Sequence, residues 1–206
     1  MQQLPATNCP AIAIGIVPTQ GGTALVDTTG TNAPGTLVGA TRAASHSAGG
    51  LAFGGTAYAA LGVLALPAAN AAQSLSWWQN APAITVTQSV ISLTNDAASS
   101  AVEAGFRSGQ VGVWAYGGAF LVAATPPSAN AWHHYAYTFD GTTHRLYIDG
   151  TLRGSATTAP QTATPTKLEI GRWTGGNEWL RGKLDDIRLY ARVLSPTEVT
   201  VLAGQP

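Results

Sequence analysis

The stretch WHHYAYTFDGTTHRLYIDG, residues 132–150, places His133, His134, His144, Asp140 and Asp149 within nineteen positions. Imidazoles and carboxylates this close could hold a zinc ion or form an acid–base pair for hydrolysis. The backbone pattern argues against both. In a strand, alternate residues share a face. His133, Tyr135, Tyr137 and Phe139 then lie on one side, and Trp132, His134, Ala136 and Thr138 on the other. His133 and His134 point in opposite directions and cannot meet on one ion. The expectation is a hairpin scaffold in which one histidine makes a buried hydrogen bond.

A second candidate is GKLDDIRLY, residues 182–190. Alternation groups Asp185 with Ile187 and Leu189, and Leu184 with Asp186, Arg188 and Tyr190. A carboxylate on an apolar face is costly unless it is paired, hydrogen-bonded or bound to a metal. Asp27, in DTTGTN, is expected to form a turn by bonding its own backbone. Trp77, Trp78, Trp114, Tyr116, Trp173 and Trp179 could stack on sugar rings, since an aromatic face buries apolar area beside a polar rim. Trp77 and Trp78 are adjacent, so at least one should be core. Trp173 and Trp179 flank the Gly-rich segment TGGNE (174–178), where a loop on a rigid scaffold could carry function. Trp173, Asn177 and Trp179 are the candidate ligand-binding residues.

Catalytic chemistry finds no local motif. Glycoside hydrolysis needs two carboxylates facing one cleft. Between residues 75 and 130 the only acidic residues are Asp96 and Glu103, seven apart on different segments. There is no nucleophile elbow and no phosphate-binding glycine loop. The expectation is a protein that is not an enzyme, with no catalytic residue to name.

These residues must be positioned by short strands. Runs of strand composition recur between turn signals at 36–38, 51–53, 57–61, 75–79, 84–93, 101–106, 110–116, 119–123, 132–139, 144–149, 152–158, 166–173 and 182–192. AIAIGIV (11–17) suits a further, buried strand. Asp140-Gly141, Asp149-Gly150 and Ser108-Gly109 supply hairpin turn chemistry. The one helix is expected in SPTEVTVLAG (195–204). Ser195 is its N-cap, Pro196 opens it, Glu198 completes a capping box and Gly204 ends it. Many short antiparallel strands imply an all-β, two-sheet sandwich or jelly roll, with residues 1–10 as an N-terminal arm and 11–206 as one domain.

The order of motifs in the C-terminal third is specific. WHHYAYTFDGTTHRLYIDGTLRG is followed by LEIGRW and then by LRGKLDDIRLYARVLSPTEVTVLA. This closely resembles the laminin G-like branch of the concanavalin A-like lectin/glucanase superfamily. DTTGTNAPGTLVGAT (27–41), GGLAFGGTAYAAL (49–61) and SLSWWQN (74–80) are similar to the family's N-terminal segments, so that the resemblance spans roughly 11–204. It implies two curved antiparallel sheets packed face to face. In many relatives an Asp at the place of Asp185, an acidic residue on the first strand and a backbone carbonyl hold a structural Ca²⁺, whose hard charge suits oxygen ligands. Here the first-strand region reads IVPTQGG (16–22), without the acidic residue. Asp185 is therefore a candidate Ca²⁺ ligand, set against hydrogen bonding to backbone or Arg. No other cofactor is implied.

Composition narrows the partners. The chain has 206 residues, zero net charge and only 10% charged residues, which excludes a basic field for nucleic acid. Residues 1–130 carry five charges (Asp27, Arg42, Asp96, Glu103, Arg107) and residues 131–206 the other fifteen. So neutral a stretch is expected to associate with copies of itself or another chain. No apolar run approaches the ~20 residues of a membrane span, and the N-terminus has no signal-peptide pattern. Cys9 is the sole cysteine, so no intrachain disulfide is available. Together these lead to a non-enzymatic surface protein, phage-like and virion-borne as a decoration or tail component, assembled in the host cytoplasm, with glycan adhesion. A bacterial extracellular adhesion module binding carbohydrate or protein is the alternative.

Overall fold

The structure is a computed structural model. It describes residues 24–26, 30, 33–44, 46–47, 49–62, 67–68, 70–82, 85–95, 102–115, 119–123, 126–157, 164–173 and 178–205. The arm (1–10), the run 11–17, Asp27, Asp96, Tyr116 and Asn177 lie outside the described residues.

The described elements follow in chain order: β1 (Ala24–Leu25), β2 (Gly35–Val38), β3 (Thr41–Ala43), β4 (Gly50–Gly54), β5 (Tyr58–Gly62), β6 (Gln73–Asn80), β7 (Gln88–Thr94), β8 (Val102–Arg107), β9 (Gln110–Ala115), β10 (Ala119–Ala123), β11 (Trp132–Phe139), β12 (Thr143–Ile148), β13 (Thr151–Thr157), β14 (Lys167–Ile170), β15 (Arg181–Tyr190) and α1 (Pro196–Ala203). The expected strands from residue 36 onward all appear. β1 and β3 are additions, each only two or three residues long and too short to leave a period-2 signal.

Two antiparallel sheets form the sandwich. One has eight strands in the order β1-β2-β5-β14-β7-β8-β9-β10, the other seven in the order β13-β12-β11-β6-β15-β4-β3. Alternation builds the core between them. Ala59, Leu61, Ile91, Leu93, Val102, Ala104, Phe106, Leu168 and Ile170 face inward from the first sheet. Leu75, Trp77, Tyr135, Tyr137, Phe139, Leu146 and Leu189 face inward from the second. Trp77 stacks on Tyr135 with centroids 5.2 Å apart. Trp78 points to the opposite face, as adjacency required.

The turns follow the sequence chemistry. Ser108 and Gly109 both have positive φ (50° and 78°), as do Asp149 and Gly150 (50° and 74°), which is the hairpin geometry that matches strand twist. Asp140 Oδ1 accepts from the N–H groups of Thr142 (3.0 Å) and Thr143 (2.7 Å). At Gly105 an added Cβ would meet the Gln88 carbonyl oxygen at 2.2 Å, so the pairing of β8 with β7 requires glycine there.

Helix α1 carries the expected capping box, with Ser195 and Glu198 bonded reciprocally. Its Val199 and Leu202 pack with Leu194 on Ala136, Tyr147 and Tyr190, which face outward from the seven-stranded sheet. No helix among the described residues is long and apolar enough to cross a membrane.

Candidate functional site

The residues of 132–150 do not converge. His144 lies in the core, stacked on Phe139 at 4.3 Å and bonded through Nδ1 to the Tyr137 hydroxyl at 2.8 Å. His134 faces outward, edge-on to Trp78 at 5.4 Å. His133 Nδ1 meets Asp149 Oδ2 at 2.8 Å, while Nε2 lies 3.0 Å from Ser128 Oγ and 3.1 Å from the Ser128 carbonyl oxygen. Asp149 Oδ1 in turn accepts the His134 N–H at 3.0 Å. The ring therefore ties the approach to β11 to the tight turn after β12. Its Nε2 is shared between a hydroxyl and that residue's own carbonyl, which suits a latch better than a base activating Ser128. Among the described residues no three His, Cys, Asp or Glu side chains are placed to hold a metal.

Asp185 corrects the alternation read from the sequence. Asp186 adopts φ 46°, and the pairing of β15 with β6 shifts register between Asp185 and Arg188. This bulge inserts a residue and reverses the parity of the strand. Leu184, Ile187 and Leu189 thereby all face the core, and Asp185 points outward beside Trp78, its cross-strand partner. Asp185 is nonetheless only 4% exposed. Its Oδ2 accepts from the N–H (2.8 Å) and the hydroxyl (3.0 Å) of Ser47, and Oδ1 from the Asp186 N–H (2.8 Å). The carboxylate thus pins residues 46–47, and the His46 ring stacks on Trp78 at 3.5 Å. Residues 16–22 and Asp27 lie outside the described residues. Those around Asp185 present N–H and O–H groups to both its oxygens. They fit a hydrogen-bonded carboxylate and do not supply the oxygen shell of a Ca²⁺.

The outer face of the eight-stranded sheet holds a denser arrangement. Core packing of Val102, Ala104 and Phe106 turns Glu103 and Arg107 of β8 outward; packing of Leu168 and Ile170 does the same for Lys167 and Glu169 of β14. Register sets Glu103 opposite Ser92 of β7, and Ser92 opposite Glu169. The row continues from Glu103 to Trp114 of β9. Glu103 and Glu169 are each 1% exposed and Ser92 is fully buried.

Charge on this face is matched locally. Arg107 Nη2 donates to Glu103 Oε2 and to Glu178 Oε2, both at 3.2 Å. Arg172 Nη2 donates to Glu169 Oε1 at 2.8 Å, with Lys167 Nζ 3.7 Å from the same oxygen. Burial, then the nearby Glu178 carboxylate, push the Glu103 pKa up to about 8 against the opposing pull of Arg107. Yet Glu103 Oε1, Glu169 Oε2, Ser92 Oγ, Arg107 Nε and Arg172 Nε are buried without a hydrogen-bond partner among the described residues.

Aromatic rings flank the row. The Arg107 guanidinium lies over Trp114 at 4.5 Å. At the other end the Arg172 guanidinium sits over Tyr58 at 3.4 Å and 5.9 Å from the Trp179 ring, with Tyr58 and Trp179 centroids 6.3 Å apart. Gly171 and Leu180 are bonded to each other, and Ser89 N–H donates to the Glu178 carbonyl, which fastens this edge to the end of β7.

The family model for the concanavalin A-like lectin/glucanases superfamily, of laminin G type, matches residues 53–200. The chain belongs to that family. The matched span contains Tyr58, the Glu103–Ser92–Glu169 row, Arg172 and Trp179, and excludes His46 and Ser47. Among solved structures, domain 4 of AbnA, a GH43 extracellular arabinanase from Geobacillus stearothermophilus, in complex with arabinotriose, is 20% identical, with TM-score 0.73 over 86% of this chain and 91% of that one. The binding domain of Paraclostridial Mosquitocidal Protein 1 is 13% identical, with TM-score 0.77 over 94% of this chain and 51% of that one. A heptameric SAP-like pentraxin from Limulus polyphemus is 15% identical, with TM-score 0.61 over 75% and 81%. The laminin G-type chain thus spans the arabinanase domain almost completely and about half of the toxin domain. A comparison with curated protein sequences finds no match.

Of the candidate ligand residues, Trp179 joins the Tyr58–Arg172 edge, Trp173 is half-buried, and Asn177 lies outside the described residues. The sequence reading missed Glu103, Ser92, Glu169, Arg107 and Arg172. A signal was present. Glu103 and Arg107 are two of only five charges in residues 1–130 and stand four apart in one strand, hence on one face.

Proposed function

We propose that this laminin G-type domain is a non-catalytic carbohydrate-binding module. The observation that carries the reading is the edge where Trp179, Tyr58 and the Arg172 guanidinium stand together. Flat aromatic and guanidinium faces beside hydrogen-bonding groups suit the apolar ring faces and hydroxyl rims of sugars. The likeness to an arabinanase domain solved with arabinotriose supports it at the level of fold. The test is isothermal titration with arabinotriose, cellotriose and xylotriose, with the products chromatographed in parallel. Binding without cleavage, lost in Trp179→Ala, is the expected result. Cleavage abolished by Glu103→Gln or Glu169→Gln would overturn it.

The charge distribution favours one setting. Five charges in residues 1–130 against fifteen in 131–206 leave an extended neutral region suited to contact with other copies or another chain. This supports the domain as a phage-like virion surface component that adheres to glycan, over a separate bacterial adhesion module. Light scattering of the purified chain tests it: an oligomer is expected, and a clean monomer absent from purified particles would favour the adhesion module.

A further inference from the structure

We infer that Glu178, clamped with Glu103 on Arg107, is the positioning residue of the Trp179 edge, and that this clamp closes and opens with one proton on the acid pair, so that sugar binding weakens in alkaline solution. The inference rests on the carbohydrate-binding reading and names the regulation of that same site.

Three observations carry it. The first is how Trp179 is held. Among the described residues its ring has only loose neighbours, Tyr58 at 6.3 Å and Arg172 at 5.9 Å, so the backbone on either side fixes where it stands. On one side Leu180 is fully buried, and its N–H donates to the Gly171 carbonyl at 2.9 Å. On the other side Glu178 is tied twice. Its carbonyl accepts from the Ser89 N–H at 3.1 Å, and its carboxylate from Arg107 Nη2 at 3.2 Å. The backbone ties carry no charge and persist at every pH. The side-chain tie depends on what else Arg107 must serve.

The second is the sharing of that arginine. Nη2 donates to Glu103 Oε2 and to Glu178 Oε2, each at 3.2 Å, so two carboxyl groups crowd one nitrogen. Among the described residues no second cation pairs with either of them. Across from Glu103, β7 presents Ser92 and β9 presents Trp114, neither of them charged. The remaining cations of this face, Lys167 and Arg172, lie against Glu169. With one proton on the pair, one negative charge meets one positive charge. With none, two negative charges meet one positive charge.

The third is the unequal burial of the two acids. The Glu103 side chain is 1% exposed and that of Glu178 is 21% exposed. When both are ionised, the buried carboxylate has no water to turn to and keeps the guanidinium, because a buried charge without a partner is the costlier one. Glu178 can reach solvent and is the acid that lets go. Burial and the Glu178 carboxylate hold the proton on Glu103 up to about pH 8. Above that, the proton passes to solvent, Glu178 is released, and Trp179, next to it in the chain, loses one anchor.

The test reads the ring and the sugar separately. In the full chain labelled with 5-fluorotryptophan, with the Trp179 ¹⁹F resonance assigned through Trp179→Phe, that resonance should shift with a midpoint near pH 8. Glu103→Gln keeps the shape, cannot ionise and should hold the resonance at its low-pH position throughout. Glu178→Gln, at the more exposed site, should also abolish the shift. A Trp179 resonance that does not move through pH 8, or that moves equally in Glu103→Gln, overturns the clamp. Titration with arabinotriose, cellotriose and xylotriose at pH 6 and pH 9.5 gives the second readout. The natural protein should bind about fivefold more weakly at the higher pH, the low end of couplings between linked sites, and Glu103→Gln should bind equally at both. Coupling is reciprocal, so binding at pH 8 should take up protons, measured as a dependence of the titration heat on the ionisation enthalpy of the buffer. A sugar bound with equal affinity at both pH values and without proton uptake overturns the regulation and leaves the carbohydrate reading standing. A Trp179 shift abolished by Glu103→Gln, with no binding of any of the three sugars, leaves the clamp standing and overturns the carbohydrate reading.

Discussion

Glu103 and Glu169 stand on opposite sides of Ser92 in one row of the eight-stranded sheet, each held by an arginine four or three residues further along its own chain segment. The two carboxylates are not equivalent. Glu103 competes with Glu178 for Arg107, whereas Glu169 faces two cations, Arg172 and Lys167. Two acids on one cation in a buried place cannot both ionise cheaply.

The stability of the fold should therefore fall as pH rises toward 8. Burial and Glu178 raise Glu103 from 4.5 to about 8. In the unfolded chain it ionises near 4.5, so over that window the folded state binds more protons than the unfolded one. Stability from this group is complete below 4.5 and is lost as pH passes through 8. Glu103→Gln keeps the shape and removes the titration. Urea unfolding at pH 5 and pH 8 should show a drop for the natural protein, of up to about 1.4 kcal/mol per pH unit, that the variant lacks. Equal drops in both would disprove the assignment.

His134 should act with the opposite sign. Burial, aided by Arg188 and His46, lowers its pKa from 6.5 to about 4, against the pull of Asp149. Below 6.5 the unfolded chain gains a proton that the folded chain refuses until about pH 4, so stability falls as the solution is acidified across that window. His134→Gln should flatten the melting temperature between pH 6.5 and 4. A profile unchanged from the natural protein would mean that His134 is protonated in the fold.

How far the sequence was legible depended on whether the deciding interaction was local. The hairpins of β11, β12 and β13 were readable because Asp140, Asp149 and Gly150 specify their turns within a few residues. The cap of α1 was readable for the same reason. The face of Asp185 was not, because one left-handed residue, Asp186, reverses the parity of the strand. The Glu103–Glu169 row was half readable. Alternation puts each residue off the core, but only the placement of β14 between β5 and β7 makes them neighbours of Ser92.

Asp185→Ala should destabilise the protein by about 1–3 kcal/mol, since it leaves the N–H groups of Ser47 and Asp186 without an acceptor. Loosening of residues 46–47 should also free the His46 ring from Trp78 and change the tryptophan emission. Because three hydrogen bonds occupy this carboxylate, melting temperatures in EDTA and in added Ca²⁺ should agree; a ligand bound only by the folded state would raise the second. An Asp185→Ala variant as stable as the natural protein would show that Ser47 is held by other contacts.

Arg172 joins the aromatic edge to the polar row, and lysine should not replace it. The guanidinium lies 3.4 Å over the Tyr58 ring while Nη2 donates to Glu169 at 2.8 Å, so one planar group serves both partners. An ammonium keeps the charge but cannot stack flat and donate in that plane at once. Arg172→Lys should therefore destabilise the fold by about 1 kcal/mol, the scale of a partly desolvated cation–π contact. A double-mutant cycle with Tyr58→Leu isolates the stacking term. If the ring and the guanidinium act together, the pair should show a coupling of about 0.5–1 kcal/mol in urea unfolding. Titration with the uncharged trisaccharides then separates fold from binding: Arg172→Lys, folded and measured well below its melting point, should bind more weakly than the natural protein. Additive losses in the cycle together with undiminished sugar binding would remove Arg172 from the site.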